Sequence, residues 1–227
     1  VERGGIVLVP SFAVERSQDV MVILSKAGFE YPVYIDGMVW DATAIHTAYP
    51  EYFNRELQKM ILQQGENPFL NKIFKRIGSE DERKKILENR EPCVVIATSG
   101  MLSGGPSVWW LKNLAENKNN SLVFVGYQAE GSLGRRIQKG WKEIPMEQNG
   151  KTVAVPINLE IATVNGLSGH SDYKQLINYL SRLKQKPERI IVNHGENSKC
   201  VEFARTCHNI FRCETLAPKL LETVRLK

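Results

Sequence analysis

The stretch Cys93-Val94-Val95-Ile96-Ala97-Thr98-Ser99-Gly100-Met101-Leu102-Ser103-Gly104-Gly105-Pro106-Ser107 decides the fold. Its first five residues are apolar without alternation, the pattern of a strand buried on both faces. A loop rich in glycine and serine follows, and 106–116 is predicted as helix. The same order recurs outward along the chain. A short β-branched run at 6–9 precedes helical spacing of Val20, Met21, Ile23, Leu24 and Ala27, and 32–36 repeats the strand signal. Residues 41–49 read as a short helix. Pro50 sits where a first helical turn tolerates it and leads a helix with Tyr52, Phe53, Leu57, Met60 and Ile61 on one side, broken at 65–68. Ser79 and Glu82 form a capping-box pattern before a charged helix ending near Arg90. Strand is expected at 121–125 and helix at 132–139. Strands alternating with helices, with continuous apolar strand interiors, give an α/β fold: a mainly parallel sheet flanked by helices.

Around 141–152 the pattern lapses into a polar, turn-rich stretch with Pro145, Asn149 and Gly150, the candidate boundary region. Strands near 152–155 and 157–164, a helix at 172–183, a strand at 189–193, a helix at 198–210 and a strand-like tail at 222–226 follow. No internal repeat or low-complexity segment interrupts this order.

The 227 residues are 42% hydrophobic and 24% charged, which fits one large or two ordinary globular domains with a substantial core. A formal net charge of +5 suits a polyanionic ligand, although dispersed surface lysine produces the same figure. Cys93, Cys200, Cys207 and Cys213 make no Cys-x-x-Cys pair and read as reduced, structural thiols. No apolar run approaches the roughly 18 residues of a membrane span, and no signal-peptide pattern opens the chain. A soluble, cytoplasmic protein without membrane association is the expectation. The opening Val1-Glu2-Arg3-Gly4-Gly5 reads as a cut from something longer.

Two histidines close strand-like runs, one in Gly166-Leu167-Ser168-Gly169-His170-Ser171-Asp172 and one in Ile190-Ile191-Val192-Asn193-His194-Gly195-Glu196. They belong to consecutive strand-helix units, so right-handed parallel crossover is expected to place both imidazoles at the same carboxyl-end edge of the sheet. Such an edge is where α/β hydrolases hold metal ligands and proton donors. A hydrolytic metal centre needs at least three protein ligands, and only one or two credible ones are present. His46 and His208 are read as structural or surface residues.

Three strand-to-helix loops converge on the same edge. Unpaired amides in the 98–107 loop, with Ser99, Gly100 and Ser103, can bind a phosphate, while a plain glycine-rich turn is the alternative. No Gly-Lys-Ser/Thr closes it, so it is not a P-loop. Ser11 leads to Arg16 in the second loop, and 126–132 leads to Arg135 and Arg136 in the third. Hydroxyls, glycine and arginine together suit a charged backbone. A solvated helix face is the other reading of Arg135 and Arg136.

The segments Gly5–Asp19 (GIVLVPSFAVERSQD), Ala97–Ser107 (ATSGMLSGGPS) and Val125–Arg135 (VGYQAEGSLGR), with both histidine motifs, resemble the beta-CASP branch of the metallo-β-lactamase superfamily. The nearest likeness is to archaeal homologues of the cleavage and polyadenylation specificity factor endonuclease. The resemblance implies that 1–158 is the beta-CASP domain and that 159–227 is a βαβ-type returning segment of the metallo-β-lactamase fold. It implies that His170 assists the scissile phosphate and leaving group and that His194 ligates one zinc of a two-zinc centre. Ser168 and Ser171 then become phosphate contacts. The His-x-His-x-Asp-His motif and the first acidic beta-CASP motif of that family are absent. The expectation is therefore a portion of a zinc-dependent ribonuclease that binds RNA but alone holds no zinc and cleaves nothing.

A noncatalytic RNA-binding or assembly module is the alternative. A Rossmann-like nucleotide binder is disfavoured because no Gly-x-Gly-x-x-Gly follows the first strand. Apolar faces at Ile161, Val164, Ile190, Ile191 and Val192, made to lie beside a missing half-sheet, predict self-association. Likeness to homodimeric archaeal family members points the same way.

Overall fold

Five consecutive apolar residues, Cys93–Ala97, form a strand buried along its whole length near the middle of a six-stranded parallel sheet. The computed structural model describes residues 1–148 and 151–226, and the chain divides into two compact units, Val1–Ser168 and Gly169–Lys227. The first unit runs β1 (Ile6–Pro10), α1 (Arg16–Lys26), β2 (Val33–Asp36), α2 (Val39–Ala48), α3 (Arg55–Gln63), β3 (Phe74–Arg76), α4 (Glu80–Asn89), β4 (Cys93–Ala97), α5 (Gly105–Leu114), β5 (Ser121–Phe124), α6 (Leu133–Gln138), β6 (Glu143–Gln148), β7 (Lys151–Pro156) and β8 (Glu160–Thr163). Strand order is β3-β2-β4-β1-β5-β8, with β6 and β7 as a separate antiparallel pair.

The pleat sorts side chains by a period of two onto two separate cores. Ile6 and Leu8 of β1 and Cys93, Val95 and Ala97 of β4 join Trp110, Leu111 and Leu114 of α5 and Ile137 of α6 on one face. Val9, Val94 and Ile96 face the other way, with Val33 and Ile35 of β2, against Val20 and Met21 of α1, Val39 of α2, and Phe69. Both faces are thus covered by helices, the condition under which an uninterrupted apolar strand is stable. Full burial of each such aliphatic side chain stabilises by about 1.5–3 kcal/mol.

In the first unit, three elements depart from the sequence reading. The helix expected from Pro50 is divided: a 3-10 turn covers Pro50–Tyr52, Phe53 is extended, and Asn54 caps α3 by accepting from the Leu57 N–H. The strand β3 was not expected; three residues at a sheet edge carry almost no periodic signal. The polar stretch at 141–152 contains β6, paired with β7 from Glu143↔Pro156 to Gln148↔Lys151. Ile144 and Val155 of this pair enter the core. Pro145 is accommodated because the ribbon has two strands and open edges. Asn149 and Gly150 lie outside the described residues.

The second unit contains α7 (Tyr173–Arg182), β9 (Arg189–Ile191), α8 (Asn197–Phe211) and β10 (Glu214–Leu216). Strands β9 and β10 pair in parallel across α8, a βαβ arrangement. Ile190, Ala204 and Cys207 are its buried apolar residues, and Tyr173 meets Phe203 edge-on at 5.7 Å to join α7 to α8. Asp172 and Gln175 make a complete capping box at the start of α7. The last strand lies at 214–216, not at 222–226, because the Val192 N–H donates to Leu216 and fixes that segment on β9. The later Leu220 and Leu221 are fully open to solvent. Of the side chains expected to be uncovered, Ile161 packs on the first unit's core and Ile190 is buried, whereas Val164 and Ile191 are exposed.

Candidate nucleic-acid interface

All six strands of the main sheet run the same way, so the segments leaving β1, β4 and β5 emerge at one edge. β1 lies between β4 and β5, which makes their loops neighbours. The Ser11 N–H extends the ladder to the Ala97 carbonyl at 2.9 Å. Gly100 then sits on the first loop: a Cβ there would lie 2.9 Å from the Phe12 nitrogen and 3.0 Å from the Ser11 carbonyl carbon. Gln128, buried in the third loop, donates from Nε2 to the Gly100 carbonyl at 2.8 Å, and the Gly134 N–H donates to the Met101 carbonyl at 3.3 Å. The loops are fastened into one ledge. Two buried oxygens within it, Ser11 Oγ and Gln128 Oε1, have no hydrogen-bond partner among the described residues.

The 98–107 loop is braced internally. Ser99 Oγ accepts from the Ser103 N–H at 2.8 Å, Ser107 Oγ donates to the Ser99 carbonyl at 2.8 Å, and the Ser107 N–H donates to the Thr98 carbonyl at 2.7 Å. Of the residues expected to touch phosphate, Ser11 and Gly100 are buried and tie loop to loop, whereas Ser103 is exposed and Ser99 half-buried. Arg16 is buried, its guanidinium 2.8 Å from Asp19. Arg135 lies 3.6 Å from Glu130, whose carboxyl is held below its ordinary range chiefly by the hydrogen bond from Lys139. Arg136 is exposed, its guanidinium 4.9 Å from the centre of the Trp141 ring. A cation on an aromatic face is one of the pairings single-stranded nucleic acids exploit.

One group at this edge escaped the sequence reading. Asp36, the last residue of β2, is completely buried; its carboxylate accepts from Arg83 Nε at 2.7 Å, Arg83 Nη2 at 2.9 Å and Trp110 Nε1 at 2.7 Å. That hydrogen bonding is the chief reason Arg83 titrates above the ordinary arginine value. The available signal was an aspartate closing an apolar strand, since a buried charge requires a partner.

The strands that precede the histidine motifs pair differently from the expectation. β8 pairs with β5 in the large sheet, whereas β9 pairs with β10, so the two strands preceding the histidines do not share a sheet. The crossover argument for a common edge therefore lacks its premise. Ser168 closes the first unit, and exposed His170 and Ser171 open the second. His194 is exposed between β9 and α8 with φ of 63°, in the left-handed region where a non-glycine residue is uncommon. His46 Nδ1 is bonded to the Ala42 carbonyl at 2.7 Å within α2, and His208 Nδ1 to the Cys213 carbonyl at 2.9 Å, just past the end of α8.

A zinc centre does not fit this donor set. Among the described residues, no three His, Cys, Asp or Glu side chains group as metal ligands. Near the motifs, Asp172 accepts from the Gln175 N–H and Glu196 pairs with Lys199 at 3.1 Å.

Residues 17–137 match the family model of the Beta-Casp domain, and 154–218 match that of a Zn-dependent metallo-hydrolase RNA specificity domain. Proteins named transcription termination factor FttA align over the whole chain: 54% identical in Methanocaldococcus jannaschii, 51% in Methanosarcina mazei and 46% in Lokiarchaeum sp.. The chain spans 36% of the length of these relatives.

Proposed function

The chain belongs to the beta-CASP family, and from that premise we propose that it is the RNA-gripping portion of a zinc-dependent ribonuclease, seating phosphodiesters on the carboxyl-end loops of its large sheet. The observation that carries this reading is the ledge itself. Gln128 on Gly100, and Gly100 on the Ser11–Phe12 backbone, hold three loops in fixed register. Preorganised loops bind with less loss of conformational freedom than mobile ones. Ser103 and the exposed Arg136 beside Trp141 offer the hydroxyl, charge and ring face to a single strand, and Arg135 adds charge that Glu130 partly offsets. Ser11, Gly100 and Arg16 act beneath them as positioning residues.

Hydrolysis belongs, in this reading, to the complete protein. The described side chains supply no ligand set for a metal. His170 and His194 are this chain's contributions to that reaction, as leaving-group assistant and metal ligand, with Ser168 and Ser171 beside the phosphate. The relatives' name, transcription termination factor, supports extending that role to the full protein here. The same loops would serve a noncatalytic RNA-binding module. RNA cleavage by the full-length protein, lost on His194→Ala, separates the two.

The direct test of the interface is titration of the isotope-labelled 227-residue chain with short single-stranded RNA. Saturable amide shifts are expected at 11–12, 99–103 and 126–136. Saturable shifts confined to other surfaces, or none, would contradict the assignment.

A further inference from the structure

A second site lies in the first unit. Helices α1, α2 and α3 and the 3-10 turn before α3 border an open cavity of about 620 Å³. Its walls are aromatic: Tyr49 and Tyr52 meet edge to face at 6.5 Å, His46 stacks on Phe53, and Phe53 packs on Phe69. Tyr49 and Tyr52 are exposed, Tyr52 at 83%, which is unusual for rings that could close over one another.

The charged groups among these lining residues are acceptors. Glu15 and Asp19 contribute carboxylates, and Gln18 is buried with Nε2 donating to Ala13 and Thr43 while Oε1 lacks a donor. No lysine or arginine stands among the described lining residues. Glu15 is held at φ 73° and ψ −73° in a γ-turn closed by the Arg16 N–H on the Val14 carbonyl at 3.0 Å. Such a conformation is sparsely populated for a non-glycine residue, and its persistence beside a cavity directs attention to what Glu15 meets there. Burial raises the Asp19 carboxyl; Arg16 opposes this and Glu15 adds to it. Asp19 Oδ2 is paired with Arg16 at 2.8 Å, and Glu15 meets no cation among the described lining residues.

We propose that this cavity receives an arginine side chain presented by a partner polypeptide, its guanidinium stacked on Tyr49 and Tyr52 and hydrogen-bonded to Glu15 and Asp19. Charge complementarity selects the occupant. A planar cation with five donors matches both carboxylates and ring faces, which a compact ammonium does less well. A nucleobase has the ring but carries a phosphodiester, whose negative charge would enter beside Glu15 and Asp19. The volume exceeds one guanidinium, so the neighbours of the arginine in the partner's sequence occupy the remainder, against Val22, Ile45 and Leu57.

The test uses the isotope-labelled chain and two short peptides, Leu-Ser-Arg-Leu-Gly and the same peptide with citrulline, an uncharged isostere, in place of arginine. Guanosine monophosphate is the third probe. Saturable shifts at Gln18, Asp19, Tyr49 and Tyr52 are expected with the arginine peptide, and at least tenfold weaker binding with citrulline. Glu15→Gln with Asp19→Asn is expected to reduce affinity similarly. Tyr52→Ala, at a position too exposed to threaten folding, is expected to weaken binding severalfold with the rest of the spectrum unchanged. Equal binding of the two peptides, no saturable response to the arginine peptide at these residues, or tighter binding of guanosine monophosphate there would overturn the proposal.

Discussion

Asp36 shows how much one side chain can fix at the sheet edge. Its carboxylate satisfies both Arg83 from α4 and Trp110 from α5, so Asp36→Ala leaves a largely buried cation and an indole N–H without their acceptor. Loss of one partner from such a pair costs about 3–5 kcal/mol. Urea unfolding should show that loss, and a change below about 1 kcal/mol would refute the account of this network. Cys93 makes a second residue-level case. Burial pushes its thiol up to about 12 from the ordinary value of 9.0. Between about pH 9 and pH 12 the unfolded thiol ionises while the folded one keeps its proton, so the contribution is intact below pH 9 and is lost as pH rises. The stability of the parent chain should therefore fall more steeply than that of Cys93→Ala over this window; parallel profiles would be inconsistent with a buried thiol. Individual residues were unevenly legible. Cys93 announced its burial through four apolar neighbours, whereas Asp36 gave no hint of Arg83, which lies far along the chain and reaches it only through the fold.

Among the elements, strands with uninterrupted apolar runs were legible because both of their faces are buried, so composition alone carries the signal. The segment β6, Glu143–Gln148, was not: Ile144 enters the core, and the rest of what defines the strand is its pairing with β7. The division between Pro50 and α3 depended on Asn54, a cap hidden inside a helical periodicity. Convergence of the three loops followed from parallel topology, but the burial of Ser11 and Gly100 did not, because serine and glycine are equally common on surfaces and between close backbones. Gly100→Ala tests the loop packing. Its methyl group would meet the Phe12 nitrogen at 2.9 Å, and relief requires moving one loop off the other. A stability loss of about 1–3 kcal/mol with weakened RNA binding is expected from chemical unfolding and fluorescence anisotropy. Unchanged RNA affinity would show that the ledge is not the binding surface.

At the scale of the whole molecule, each unit has its own sheet and its own buried residues, and the family's zinc chemistry requires ligands that no group of described side chains provides. Equilibrium dialysis of the chain against zinc is expected to leave less than stoichiometric metal after washing, and labelled RNA to remain uncut; stoichiometric zinc lost on His194→Ala would reverse this view. The claim on which the account rests is that the carboxyl-end loops of the parallel sheet take RNA by its phosphates. Its most direct test is the affinity of the chain for labelled single-stranded RNA across a range of salt. The logarithm of the association constant should fall linearly with the logarithm of salt concentration, at about 0.7 per phosphate contacted, and the slope should flatten on Arg135→Ala with Arg136→Ala. A flat line for the parent chain, or the same slope for the double variant, would contradict it.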